Sequence, residues 1–160
     1  AILKIPITVE QGNGAKWFWA LSSSGNLDRE EFDCGHFARQ NRWEPPLAPW
    51  IKINVDAVVR AKETAGAAVA RDEHGMVLAL TAAPFPHPEL VMAETAAMLL
   101  GLQLAQDYAW SSFVIEFDCL NLVNCWNGSA DVPWSAAHIL QCMRDLEPSF
   151  SNLIVSFVPR

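Results

Sequence analysis

Basic residues are scarce in this chain, with 11 Lys and Arg against 18 Asp and Glu and a formal net charge of −7 over 160 residues. The imbalance is regional: residues 1–50 hold five basic and six acidic side chains, residues 51–160 six and twelve. Phosphate neutralisation supplies most of the affinity of ordinary DNA- and RNA-binding proteins, so this balance disfavours tight unaided binding of nucleic acid. No Cys-x-x-Cys pair occurs and no Cys/His set has zinc-site spacing, which removes the common structural zinc sites. Cys34-Gly-His36 lacks a second pair to complete such a site. Cys119, Cys125 and Cys142 stand in apolar surroundings and read as buried thiols rather than disulfides or nucleophiles. That cysteine usage fits a reducing compartment, nucleus or cytoplasm. Long apolar runs are missing too, so neither a transmembrane span nor a membrane partner is expected. The start, Ala1-Ile-Leu-Lys-Ile-Pro6, has no basic-then-apolar signal pattern, and both ends read as cuts from a longer chain. Internal repeats and low-complexity tracts are absent.

What remains is a globular composition. Hydrophobic residues make up 51% and there are seven tryptophans, enough for one domain with a real core plus an appendage. Residues 1–42 are poorly defined by pattern: Ala15–Ala20, with Trp17 and Trp19, suits a short strand, Ser22–Asn26 a turn, and Leu27–Gln40 a short helix. Residues 43–50 are a Pro-rich linker, Trp43-Glu-Pro-Pro-Leu-Ala-Pro-Trp50, expected to be stiff and extended.

From residue 51 the pattern clears. Ile51, Ile53 and Val55 alternate with Lys52, Asn54 and Asp56, the period of a half-buried strand. After a loop with Lys62 and Glu63, Gly66–Arg71 reads as a second strand, Asp72–Gly75 as a turn, and Met76–Ala83 as a third strand. Short turns between them argue for an antiparallel meander, which Pro84-Phe-Pro-His-Pro88 is expected to interrupt. Glu89–Tyr108 is the best helix: Val91, Thr95, Met98 and Leu102 recur at helical spacing, and Ala93, Ala96 and Ala97 allow close packing on a sheet. Phe113–Phe117 is a fourth strand with Asp118 at its end. Leu120–Trp126 is a short helix closed by Asn127-Gly128, Pro133–Leu146 a helix stopped by Pro148, and Asn152–Val158 the last strand. The fold class is therefore α/β, a five-stranded mixed sheet in the order β-β-β-α-β-α-α-β flanked by helices.

Three carboxylates stand at the joints of this order. Asp56 ends the first strand on its polar side, Glu94 lies early in the long helix, and Asp118 follows the fourth strand. Each has a plain alternative role: Asp56 as a polar strand end, Glu94 as a carboxylate favoured by the helix dipole, Asp118 as the N-cap of the next helix. Glu116, alternating with apolar neighbours, reads as a solvated strand residue. His74, His87 and His138 read as turn, loop and helix-surface residues.

The stretches Trp50-Ile-Lys-Ile-Asn-Val-Asp56, Gly66-Ala-Ala-Val-Ala-Arg-Asp72, Ala93-Glu-Thr-Ala-Ala-Met-Leu-Leu-Gly-Leu102 and Ile115-Glu-Phe-Asp118, in that order and spacing, resemble the ribonuclease H superfamily. The nearest likeness is to the plant ribonuclease H-like domain of retroelement-derived, reverse transcriptase-associated proteins. The resemblance covers about residues 43–160. It implies a ribonuclease H-like domain over 51–160, truncated at its C-terminus, that cuts the RNA strand of an RNA–DNA hybrid. It further implies Asp56, Glu94 and Asp118 as catalytic ligands of two Mg2+ (or Mn2+) ions, with Asp56 bridging them, and an RNA–DNA hybrid or other nucleic acid as partner. Two hard cations about 4 Å apart can activate a water and stabilise the leaving oxygen of a phosphodiester. The family pattern differs in that a Gly usually follows the first Asp, where this chain has Ala57. A fourth carboxylate lies beyond a His-Val-x-Arg stretch, where this chain reads Phe157-Val-Pro-Arg160. Few basic residues follow the linker to grip a hybrid. The rival expectations are a catalytically weak or inactive module that binds nucleic acid or protein, or a retroelement remnant.

Overall fold

The computed structural model describes residues 3–4, 43–59, 64–86 and 89–159. The expected strand, turn and helix within residues 15–40, Cys34 and His36, the loop residues Lys62 and Glu63, His87 and Arg160 lie outside them. The elements are β1 (Leu3–Lys4), β2 (Ile51–Val59), β3 (Thr64–Arg71), β4 (Val77–Phe85), α1 (Leu90–Asp107), β5 (Ser112–Phe117), α2 (Leu120–Trp126), α3 (Ala137–Leu146), a 3-10 turn (Glu147–Ser149) and β6 (Asn152–Phe157). The sheet order is β1-β4-β3-β2-β5-β6. β2, β3 and β4 form the antiparallel meander, whereas β5 runs parallel to β2 and β6 parallel to β5. Each parallel pair needs a long crossover, supplied by α1 before β5 and by α2 and α3 before β6. The five expected strands are all present, and β1 adds two residues alongside β4. No described helix is long and apolar enough to cross a membrane.

Three expectations need correcting. The first strand does not end at Asp56: β2 runs on to Val59, and Asp56 pairs with Ala67 inside it. Pro84 does not interrupt the meander: β4 runs on to Phe85, and Pro84 pairs in register with Ala65. A proline can hold a place in an edge strand, where its missing N–H need not deprive a second neighbour. β1 pairs only at Thr81 and Ala82, so β4 at Pro84 is the outer strand among the described residues. The last helix begins at Ala137 rather than Pro133. Residues 133–136 form tight turns instead, with the amides of Ala136 and Ala137 reaching back three residues to Pro133 and Trp134. Trp134 is 89% exposed, and of that stretch only Ala136, at the helix N-cap, is buried in the core.

Helix α1 is buried around most of its circumference, the mark of a helix held in a core rather than laid on a surface. Small residues let it descend onto the sheet. A Cβ added at Gly101 would lie 2.9 Å from Val55 Cγ1, and one at Gly66 of β3 would lie 2.9 Å from Ala97 Cβ. Ile53, Phe113, Ile115, Met98, Leu102 and Met143 are fully buried in the layer so formed. Helix α2 ends as its Asn-Gly sequence implies: Gly128 takes φ +74°, and the amides of Gly128 and Ser129 bond the carbonyls of Cys125 and Asn124.

The Pro-rich stretch from Trp43 folds onto the domain. Pro46 is buried, Trp50 N–H bonds the Leu47 carbonyl at 2.9 Å, and Trp43 lies over the β3–β4 turn at Gly75.

The pairing of β2 with β5 sets the site. Its rungs run from Ile51↔Phe113 to Asn54↔Glu116 and stop there. β2 continues to Val59 on β3 alone.

Candidate metal centre

Asp56 stands two residues beyond the last β2–β5 rung on one strand, and Asp118 two residues beyond it on the other. Parallel pairing therefore brings them level at the point where the strands part. Glu94, fifth residue of α1, completes the group. One carboxylate oxygen from each of Asp56, Glu94 and Asp118 lies within 4.8 Å of the others. Glu94 is buried, Asp118 half-buried and Asp56 exposed, so the cluster opens to solvent on the Asp56 side. Asp56 Oδ1 also accepts a hydrogen bond from its neighbour Ala57 N–H at 2.9 Å.

The donor set decides what can bind. Three carboxylates offer only hard oxygen ligands, which suit Mg2+, Mn2+ or Ca2+ and not a thiolate-loving metal. Two unit charges 4 Å apart repel by about 1 kcal/mol in bulk water and about 4 kcal/mol near a protein surface, so bringing three together favours a divalent cation. These residues can hold one.

The plain alternatives for two of them do not describe this geometry. Helix α2 has Cys119, not Asp118, at its N-cap. Glu94 lies past the first turn of α1, which carries no acidic residue. The anionic field reaches the adjacent thiol: burial above all, with Glu94 and Asp118 adding, pushes Cys119 above its ordinary value, against backbone amides at Leu122 and Asn121.

A second group of polar residues borders the cluster and was not expected from the sequence. Asn54 Nδ2 donates to Glu116 Oε2 at 2.9 Å across the last rung, while Asn54 Oδ1 accepts from Trp43 Nε1 and Arg71 NH1, each at 3.1 Å. Lys52 Nζ lies 2.6 Å from Glu116 Oε1 and donates to the Glu44 carbonyl. The Trp43 ring has Lys52 and Arg71 each 5.3 Å from its centroid. Glu116 is thus not a solvated strand residue: its side chain is 11% exposed and ion-paired. Burial lowers the Arg71 guanidinium, and Glu116 opposes that shift. The only signal for this group in the sequence is that Asn54 and Glu116 each precede a cluster aspartate by two positions.

The network also occupies basic side chains. From residue 51 onward the described residues include Lys52, Arg71 and Arg144. Arg144 stacks 4.1 Å over the Trp126 ring, bonds the Trp126 carbonyl and pairs with Glu147. His74 lies in the β3–β4 turn, its amide bonded to Asp72 Oδ1, and His138 is exposed on α3.

A family profile described as reverse transcriptase-like matches residues 54–160. Among solved structures, RNase H1 from the halophilic archaeon Halobacterium salinarum is similar at a TM-score of 0.65 and 18% identity, covering 69% of this chain and 86% of that one. The N-terminal RNase H domain of a Mycobacterium tuberculosis protein gives 0.64 and 19%, covering 69% and 83%. LC11-RNase H1, solved with an RNA/DNA hybrid, gives 0.63 and 19%, covering 69% and 86%. These likenesses establish the ribonuclease H fold. No curated protein matches the chain.

Proposed function

We propose, from the premise that this chain belongs to the reverse transcriptase-like family, that it is a divalent-metal-dependent ribonuclease acting on the RNA strand of RNA–DNA hybrids. The observation that carries the reading is the convergence of Asp56, Glu94 and Asp118 within 4.8 Å on a ribonuclease H fold. Those three residues would hold the cations. Bound Mg2+ or Mn2+ supplies a water of lowered pKa and charge neutralisation at the phosphodiester. The exposed Asp56 faces the side from which a substrate phosphate arrives, and the buried Glu94 anchors the inner side of the cluster. The structure of LC11-RNase H1 with an RNA/DNA hybrid supports the choice of substrate class. The finer likeness, to the plant retroelement-derived branch, rests on the motifs around Asp56, Asp72, Glu94 and Asp118. Cys119, Cys125 and Cys142 are free, in keeping with a nuclear or cytoplasmic setting.

The test is cleavage of an end-labelled RNA–DNA hybrid by the full-length protein carrying these residues, with Mg2+ or Mn2+. The hybrid is expected to be cut, and Asp56→Asn to abolish cutting. Cleavage that survives in Asp56→Asn removes that residue from the reaction. A second reading, a non-catalytic module that binds a protein partner, is favoured by one observation: Lys52, Arg71 and Arg144 are all committed to internal partners, which leaves them unavailable to grip phosphates. Neither binding nor cleavage of the hybrid by the wild-type protein would select it, and hybrid binding without cleavage would select a nucleic-acid-binding module instead.

A further inference from the structure

We infer that the Asn54–Glu116 pair is a positioning device for the carboxylate cluster, fixing where β2 and β5 part and hence how far apart Asp56 and Asp118 are held. The inference rests on the metal-site reading above and adds residues to it.

Backbone pairing between β2 and β5 ends at Asn54↔Glu116. Beyond that rung nothing in the ladder fixes the separation of the two strands, although the two aspartates lie only two residues further on. The side-chain bond from Asn54 Nδ2 to Glu116 Oε2 closes the last rung with a second, non-backbone tie. Both partners are themselves held. Asn54 Oδ1 takes two donors, from Trp43 and Arg71, which leaves its amide one orientation and aims Nδ2 at Glu116. Glu116 is fixed through its other oxygen by Lys52 at 2.6 Å. Charge matters as well as shape. Glu116 adds an anion two residues from Asp118, and Lys52 and Arg71 offset it locally, so that the field of the three cluster carboxylates is left to a bound cation. Trp43, 11 residues before Asn54, covers the assembly, which links the stretch preceding β2 to the geometry of the site. Glu116 touches no reacting atom in this scheme. It acts through Asn54 and the strand spacing.

The experiment is a titration of the full chain with Mn2+, followed by the EPR signal of the free ion, on wild type, Glu116→Ala, Glu116→Gln and Trp43→Phe. Partners that orient metal ligands cost about 10- to 100-fold in affinity when removed, and Glu116→Ala is expected near the lower end, about tenfold. Glu116→Gln retains one oxygen to accept from Asn54 but turns an NH2 towards Lys52, so it should recover part of the loss. Trp43→Phe keeps an aromatic face for Lys52 and Arg71 but removes the Nε1 donor with part of the indole, and at this exposed position it should fold and show a smaller loss of the same sign. Phe150→Ala is the control for stability alone, because Phe150 packs edge-on to Phe113 at the far end of β5. It should lower the melting temperature without changing Mn2+ affinity. Wild-type affinity in Glu116→Ala, or an equal loss in Phe150→Ala, overturns the positioning role. If Glu116→Ala does not fold, wild-type affinity in Trp43→Phe overturns it. Failure of the wild-type protein to bind Mn2+ at all overturns the metal-site reading itself, a separate result.

Discussion

Helix propensity and packing make opposite predictions for Gly101→Ala. In the interior of α1, alanine is favoured over glycine by about 1 kcal/mol. The new Cβ, however, would lie 2.9 Å from Val55 Cγ1 and 3.5 Å from both Ile115 Cδ1 and Ile53 Cγ2. Val55 is β-branched and buried at 6% exposure, so its methyl cannot swing aside into solvent. Either α1 rises off the sheet or β2 shifts, and overpacking of this kind costs about 1–3 kcal/mol. The net expectation is destabilisation of up to about 2 kcal/mol, taken as that cost less the propensity gain. At about 2–4 °C per kcal/mol for a chain of this size, the melting temperature should fall by a few degrees. Urea and thermal unfolding monitored by circular dichroism provide the measurement. Val55→Ala removes the obstructing methyl, so a double-mutant cycle should show a favourable coupling of about 1 kcal/mol between the two changes. A Gly101→Ala protein more stable than wild type, with Val55 in place, would refute the close-packing account of α1.

Two other outcomes follow from the described geometry. Gly128→Ala meets no atom within 4 Å, so its only cost is the left-handed backbone at φ +74°, about 1–2 kcal/mol; Gly128→Asn should cost less in the same unfolding assay. Burial above all, helped by Asp131, pushes the Cys125 thiol up, so the folded state holds that proton more tightly than the unfolded chain. Its contribution to stability is therefore present below the unfolded value of about 8.5 and lost as pH rises towards the raised folded value. Cys125→Ala should flatten the alkaline limb of the stability–pH curve, and alkylation of Cys125 at neutral pH should await unfolding.

Local pattern made much of this fold readable, and its failures have distinct physical causes. The alternation from Ile51 locates β2, and the small residues of α1 announce close packing that the Ala97–Gly66 and Gly101–Val55 approaches then realise. Helix α2 ends at Trp126 because Asn-Gly supplies the backbone its cap requires. Pro84 misleads because a proline's effect depends on whether its neighbour on that side is a strand, which is a property of the sheet and not of the segment. The start of α3 misleads because 133–136 makes turns around the exposed Trp134, and only Ala136, at the helix N-cap, is drawn into the core. Within the site, Asp118 follows a locally marked strand end and Glu94 lies early in a marked helix, whereas Asp56 marks the end of the β2–β5 pairing and not of β2, which runs on to Val59. Glu116 reads locally as a solvent-facing residue, and only its partner 62 residues away shows otherwise. Trp43, Lys52, Asn54, Arg71 and Glu116 come from four separate stretches and meet only after β2 has paired on both sides.

That two-sided pairing of β2 also orders how the molecule is assembled. The β2–β3–β4 meander closes through short connections and carries low loop-closure cost. The β2–β5 ladder joins positions some 60 residues apart and forms only after α1 has crossed the sheet. Asp56 belongs to the first of these steps and Asp118 to the second. A partly folded chain that holds the meander alone would display Asp56 without its companions. The carboxylate cluster is in this sense a record of completed topology, assembled by the closure of a long-range ladder rather than by any single element.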